Sequence, residues 1–428
     1  MLLNPKFHIF VLIFLQLDLT QSTRGLTKSE IVFLVFFGSV IISWVFHQLL
    51  KGKIAINRSS LNLPIFLFLA FCTLSFIKAF YNNVDIIDWF IEWRVFLTLI
   101  LFFIIVNQFK SKTELKWLIY SFLLTTMLIS LRDIFSVVQQ EGFESVWQVA
   151  GVQYSSLFFI MGIPLSLAIF LSTKNLLLRS FQLFLILLFL FRLSISLMRS
   201  YILALTVILS VFIGTLLILR MSNYKQILSR MIALVALVSI ISGVVFLVFP
   251  VQTNRIMQRN ILRFAVLKDF YSPENVSAHR RVVEIQAAWN HAIQQPLLGH
   301  GFGLRYQYYG PDEKLHDIPY VHFVPLFFLL KTGVIGILLI VWLIARVLAL
   351  NWHILKEEKN LSWRLLELAL FSNFVGIITL SFFITSVVRI DSIFYFTLAM
   401  GIIATLRKLQ NNQQLYINPI KLERSHAE

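Results

Sequence analysis

The residues of this chain best suited to chemistry lie between His279 and Gly336. Arg280 and Arg281 open a helical run that ends at Gln295-Pro296, and Gly299, Gly301 and Gly303 follow. After the aromatic segment Tyr306 to Tyr309, His322 precedes a long apolar helix containing Gly333 and Gly336. A histidine titrates near neutrality and can take or orient a hydroxyl proton. Guanidinium groups grip phosphate oxygens with two parallel hydrogen bonds. Two cations in the first turn of a helix oppose its dipole, so a bound anion would offset that cost. At about 100° per residue, Gly333 returns beneath His322 and Gly336 lies within about 40° of it, which would let a neighbouring helix pack closely below. His279, His291, His300 and His316 are nearby but have no comparable placement. The glycine cluster by itself reads as a turn, although its amides could also approach a ligand.

The elements that must position these residues follow from composition. With 58% hydrophobic residues, 14% charged residues and 42 phenylalanines, the chain is excluded from the soluble globular class. The formal charge of +16 is scattered between apolar segments instead of lining one soluble surface, so no nucleic-acid partner is expected. The lone Cys72 sits in an apolar run and has no intrachain partner for a disulfide. Apolar segments near the roughly 20 residues needed to cross a bilayer recur through the chain. They run from Ile31 to Leu50, Leu61 to Phe80, Ile86 to Val106, Trp117 to Phe135 and Val152 to Leu171. The stretch from Leu176 to Leu219 holds two, broken near Ser194 to Arg199, and Met231 to Phe249 another. His322 to Leu350, Leu365 to Ser386 and Ile390 to Leu406 complete the set. Phe7 to Leu19, behind Lys6, reads as a short first spanning or interfacial helix, since no small-residue cleavage site follows it. The expected fold is therefore all-α, a polytopic bundle of about twelve spans with a large external loop region containing helices.

Lysine and arginine concentrate in one alternating set of loops, with Lys51, Lys53 and Arg58 in one and Lys110, Lys112 and Lys116 in another. Lys174, then Arg220, Lys225 and Arg230, then Lys356, Lys359 and Arg364 continue the set, which ends with Arg407 and Lys408. Basic loops stay in the cytoplasm. The expected division is an N-terminal bundle over 1–249, an external region over 250–321, a C-terminal bundle over 322–407 and a cytoplasmic tail over 408–428. Arg94, Arg132, Arg192, Arg199 and Arg389 then share the outer level with Arg280 and Arg281. Each alone could snorkel, but together they could hold a lipid pyrophosphate. Lys331, lower in its helix, would snorkel or find a partner inside the bundle. The external region reads as a basic helix from Thr253 to Lys268, carrying Arg255, Arg259 and Arg263, then a loop around Pro273 and a helix from Ala278 to Gln295. No pair of acidic or histidine residues in the outer loops has metal-ligand spacing, Asp312-Glu313 being a turn after Pro311, so neither metal nor cofactor is expected.

The run RVVEIQAAWNHAIQQPLLGHGFG from Arg281, followed by HFVPLFFLLKTGVIG from His322, resembles the C-terminal signature of the O-antigen ligase and O-antigen polymerase superfamily. GVQYSSLFFIMGIPLSLAIF from Gly151, with Pro164, and SLMRSYILAL, with Arg199, are weaker echoes upstream. The resemblance covers most of the chain, and its specific part is Arg281 to Gly336. One departure is Phe323, where ligases of the family carry Asn, Ser or Gln after the histidine. The resemblance implies a GT-C-like, metal-independent membrane glycosyltransferase at the outer, periplasmic face of a bacterial cytoplasmic membrane. It would move a glycan from an undecaprenyl diphosphate-linked donor to a saccharide or lipid-linked acceptor among the membrane lipids, as a polymerase or a ligase. His322 and Arg281 would be catalytic. Arg280, Arg199, Arg94, Arg132 and Arg389 would hold the pyrophosphate, with Gly299, Gly301, Gly303, Gly333 and Gly336 shaping the site. A transporter or flippase of lipid-linked oligosaccharides would also want arginines and many spans, but should show charged cavities on both leaflets or paired broken helices.

Overall fold

In hydrocarbon a backbone N–H or C=O has no water to bond, so apolar runs of spanning length close their hydrogen bonds internally as helices. The computed structural model describes residues 4–19, 27–52, 56–141, 156–196, 198–220, 223–251, 253–254, 257–258, 261, 276–310 and 314–425. The helices are α1 (Pro5–Leu19), α2 (Lys28–Leu50), α3 (Asn62–Tyr81), α4 (Ile86–Leu97), α5 (Ile100–Gln108), α6 (Lys112–Glu141), α7 (Ser156–Ser172), α8 (Leu176–Ser196), α9 (Arg199–Ile218) and α10 (Tyr224–Val248). After them come α11 (Val276–Ala292), a hairpin of β1 (Tyr306–Tyr309) and β2 (Leu315–Ile318), α12 (Val324–Glu357), α13 (Leu361–Ser381), a 3-10 turn (Thr385–Val388) and α14 (Ile390–Ser425). Among the described residues ten helices are long and apolar enough to cross a membrane, with α4 and α5 counted as one, and α1 and α7 are shorter apolar helices. The protein is an all-α, multi-pass membrane bundle, as its composition requires. The hairpin, with Tyr306 opposite Ile318 and Tyr308 opposite His316, is a small addition that the helical periodicity did not announce.

Packing orders the bundle by depth of burial. In α14, 83% of the most apolar window is buried, which makes it central, whereas in α10 the figure is 11%, which puts that helix at the edge. α14 packs on α5 and α4, α13 on α7 and α9, and α12 on α3, α11 and α13. The α1 helix runs beside α6: Lys6 pairs with Glu114 at 2.6 Å, and further along α6 Arg132 donates to the Leu17 carbonyl. One end of the bundle carries α11 and the hairpin and is called the capped end below. At the other end the basic loops meet carboxylates, with Lys112 on Glu358 at 2.9 Å and Arg407 on Glu357. Most of the basic helix expected from Thr253 to Lys268, the Pro273 loop and the Asp312-Glu313 turn lie outside the described residues.

The expectation of a straight helix below His322 is corrected by α12. Its N-cap is Phe323, so His322 stands before the helix, and the backbone leaves helical geometry at Gly333, with φ 65° and ψ −170°. The break frees backbone groups, and the glycine loop takes them up. His300 and Gly301 donate to the carbonyls of Leu330 and Lys331, each at 2.9 Å, while Val334 and Ile335 donate to Pro296 and Leu297 at 2.8 and 3.2 Å. Gly299 and Gly333 both have positive φ and approach so closely that a Cβ on either would strike the other's strand of backbone. Gly301 and Gly303 press in the same way on the backbones of Ala79 in α3 and Trp89 in α4. The glycines thus serve close backbone packing. Gly333 packs on the loop instead of on a helix, while Gly336 does face the neighbouring α3 at Phe71.

A buried ion pair closes this clasp and supplies the partner that Lys331 needs. Its side chain, 0% exposed, reaches Glu92 of α4 at 2.9 Å and the Leu304 carbonyl at 2.5 Å. Glu92 takes the Gly303 N–H with its other oxygen at 2.7 Å. Removing one partner of such a pair strands a buried charge and costs about 3–5 kcal/mol. Lys331→Met should therefore lower thermal stability in detergent by that order, and Lys331→Met/Glu92→Gln, which removes both charges and keeps an acceptor for Gly303, should regain part of it. A Lys331→Met protein as stable as the parent would show that the clasp carries no such energy.

Candidate functional site

α11 owes its seat to small residues at helical spacing. Glu284, Ala288 and Ala292 share one side of it and are buried, and the two alanines allow close approach to α12 and the hairpin. Tyr306 and Tyr308 point inward from β1 against this side, in a row with His291 and His316 at ring separations of 5.3 to 6.3 Å. Four residues beyond β2 the chain reaches His322.

There Glu284 meets the histidine with both carboxylate oxygens, at 2.8 and 3.0 Å from Nδ1, and Oε1 also accepts the His322 backbone N–H at 2.7 Å. An ionised carboxylate only accepts, so Nδ1 carries a hydrogen and Nε2 is left as the basic nitrogen of the neutral ring. The glutamate side chain is 2% exposed and the histidine 35%. One partner is therefore locked inside the protein while the other looks out. Tyr320 packs edge-on to the imidazole at 5.5 Å, and Phe323 packs on Phe382 at 5.7 Å. Phe323 is thereby committed to packing at the start of α12.

The arginines divide. Arg281, one turn before Glu284 on α11, is half-buried and has no partner among the described residues. Arg280 is held: its Nη2 lies 2.8 Å from the His316 ring, and it also bonds the Tyr308 phenol, whose pKa burial raises above the ordinary value. Arg199 is the first residue of α9, half-buried at the capped end. The remaining cations face carboxylates inside the bundle. Arg94 pairs with Glu30 at 2.9 Å, both side chains 4% exposed, and Glu30 also completes the capping box of α2 with Thr27. Arg132 and Arg192 share Asp133 at 2.8 and 3.1 Å, and Arg389 lies 3.3 Å from Asp391. What composition suggested as one ring of cations is thus mostly a set of ion pairs, because burying a guanidinium requires a counter-charge.

Glu284 is the residue of this candidate site that the sequence reading passed over. Its signal was a carboxylate in line with two alanines, at i, i+4 and i+8, on the buried side of an external helix. The glycine loop, by contrast, has no amides to offer a ligand at His300, Gly301 or Gly303, since all three bond to Leu330, Lys331 and Glu92. His300 is buried, which holds its pKa below the ordinary value, and its Nε2 donates to the His291 carbonyl at 2.8 Å. It works as a spacer between α11 and the loop.

Residues 183–341 match the family model described as O-antigen ligase. Over these residues the chain is similar to the O-antigen ligase family. No curated protein matches the chain. The matched residues take in Arg199, both α11 arginines, Glu284, the glycine loop and His322, so the matched stretch and the geometric site coincide. The similarity supports a membrane function of the O-antigen ligase and polymerase type.

If Glu284 orients His322, Glu284→Gln should fold and bind donor normally. It should lower the rate of glycan transfer about 10²-fold, the lower end of what a positioned acid–base group contributes. The check is a kcat and KM measurement on purified protein in lipid, and an unchanged kcat would remove Glu284 from the mechanism.

Proposed function

We propose that this protein is a glycosyltransferase that moves a glycan from undecaprenyl diphosphate to a saccharide acceptor at the outer face of the bacterial cytoplasmic membrane, as an O-antigen or exopolysaccharide polymerase or as an O-antigen ligase. The observation that carries this reading is the Glu284–His322 pair beside Arg281, which has no partner among the described residues, at one end of the bundle and within the stretch similar to O-antigen ligases. The arrangement suits a displacement at a sugar carbon that needs no metal. The acceptor oxygen attacks the anomeric carbon and forms the new glycosidic bond, while the bond from that carbon to the diphosphate oxygen breaks and its electron pair leaves with the diphosphate. Nε2 of His322 takes the hydroxyl proton, and Glu284 stabilises the imidazolium that results. Arg281 meets the charge growing on the leaving diphosphate, where a fixed cation in a poorly hydrated site acts most strongly. Arg199 and the tethered Arg280 complete the cationic side.

The membrane interior supports a lipid donor. An apolar cavity of about 230 Å³ lies between α3, α4, α12, α13 and α14, and Val324, Pro325, Phe328 and Phe382 line it just past His322 and Phe323. A stretch of isoprenoid chain in this space would leave its diphosphate near the histidine.

Arg281→Ala and His322→Ala variants should each cut transfer by about 10²–10⁴-fold in a reconstituted assay. In cells the undecaprenyl-linked glycan should accumulate while surface glycan shortens or disappears. Normal glycan length and attachment in both variants would overturn the enzymatic reading.

A further inference from the structure

α11 is not covered on all sides. Val282, Ile285, Trp289 and Ile293 follow one another at helical spacing and are 37 to 52% exposed, and Leu297 and Leu298 extend them. Gln286 and Asn290 occupy the adjoining exposed side. The stripe does not stop at the end of the helix. The Leu297 carbonyl bonds Ile335 of α12, where Val334, Ile335, Leu338 and Val341 form an exposed apolar surface on a spanning helix.

The level of α11 relative to the bilayer follows from counting. α13 covers the apolar layer in 21 residues and ends beside Phe382, against which Phe323 packs. α12 has 34 residues, and from its polar end at Glu357 it needs only about 20 to cross the same layer, which brings it to the neighbourhood of Gly336. Val324 and Thr332 therefore stand near one level, and the stretch between them runs along the edge of the layer instead of through it. The break at Gly333 is what allows this turn. α11 is fastened to the two ends of that stretch, by Glu284 on His322 and by Pro296 and Leu297 on Val334 and Ile335, so it runs along the same edge.

We propose that α11 is an interfacial helix whose partner is the lipid bilayer, with Val282, Ile285, Trp289 and Ile293 sunk in the leaflet at the capped end. Continuity with the lipid-facing surface of α12 identifies the occupant. Tryptophan favours the boundary between headgroup and acyl chain, and an amphipathic helix buries its apolar side there. Arg281 sits at the border between this stripe and the buried side that carries Glu284, which puts its guanidinium at the level of lipid phosphates. Resting on the transferase reading, a lipid-linked diphosphate would then reach Arg281 by lateral movement in the leaflet, without leaving the membrane.

The test is depth-resolved quenching on the full chain in phospholipid vesicles. Cys72 is replaced by Ala, and single cysteines at 285, 289 and 293, and at 286 and 290, carry a polarity-sensitive fluorophore. Nitroxide-bearing phospholipid should quench the first three positions several-fold more than aqueous iodide does, and the order should reverse at 286 and 290. Iodide quenching all five alike would overturn the proposal, because the stripe would face water. Failure of either quencher to reach 285, 289 and 293 would also overturn it, since protein would then cover the stripe, whether residues 250–275 of this chain or a second copy. Should labelled variants not fold, photolabelling of the unmodified protein by a diazirine phospholipid decides the same point: label on Ile285 to Ile293 supports the proposal and its absence there overturns it. None of these readings needs turnover, so they stand apart from the fate of the transferase assignment.

Discussion

The rest of the structure depends on the broken turn at Gly333 and the loop that repairs it. A spanning helix that gives up hydrogen bonds in or near hydrocarbon loses several kcal/mol unless something replaces them. Here the replacement is specific, with four backbone bonds from Pro296, Leu297, His300 and Gly301 and the Lys331–Glu92 pair beneath them. The same contacts fix where α11 ends, and Glu284 on His322 ties that helix to the start of α12. A site made from one external helix and one spanning helix could easily be loose. This one is tied at both ends of α11, which would suit the oriented acid–base and electrostatic roles proposed above.

Charge is distributed on a consistent rule. Where a cation is buried, a carboxylate from another helix meets it: Glu30 for Arg94, Asp133 for Arg192 and Glu92 for Lys331. Such pairs contribute little net stability, but breaking one is costly, so they act as registry marks between helices. Arg281 departs from this rule, being half-buried beside a histidine–glutamate pair with no carboxylate of its own among the described residues. Glu284 is already taken by His322. An anion from outside the chain is the chemical complement of that arrangement.

How much of this was legible in the sequence differs by the range of the interaction. The spans could be read because each is a local property of about 20 consecutive residues, and all twelve apolar helices fall where expected. His322 and Arg281 could be singled out as candidates because residue type alone limits what such side chains can do. The break in α12 could not. A glycine inside an apolar helix looks the same whether it admits a neighbouring helix, as Gly336 does, or takes up a left-handed backbone, as Gly333 does. The Glu92–Lys331 pair joins residues 239 positions apart and Glu284–His322 joins residues 38 apart, separations that no periodicity reports. Arg94 and Arg192 were not given partners, because their carboxylates, Glu30 and Asp133, lie on other helices.

Phe323 gains a physical reading from the same geometry. A polar side chain after the histidine would sit at the rim of the site, free to touch a ligand, whereas Phe323 turns onto Phe382 beside a cavity lined by apolar residues and Ser381. Its ring adds apolar surface at the border between the cavity and the imidazole, where an unpaired polar group would be costly. The candidate site is therefore polar and partly open at Arg281 and His322, and apolar one residue further on. A substrate with a charged head and a long apolar tail matches both halves at once, and a water-soluble sugar nucleotide would leave the dry half empty. Under the transferase reading proposed above, the residue that departs from the ligase pattern fits a lipid-linked donor.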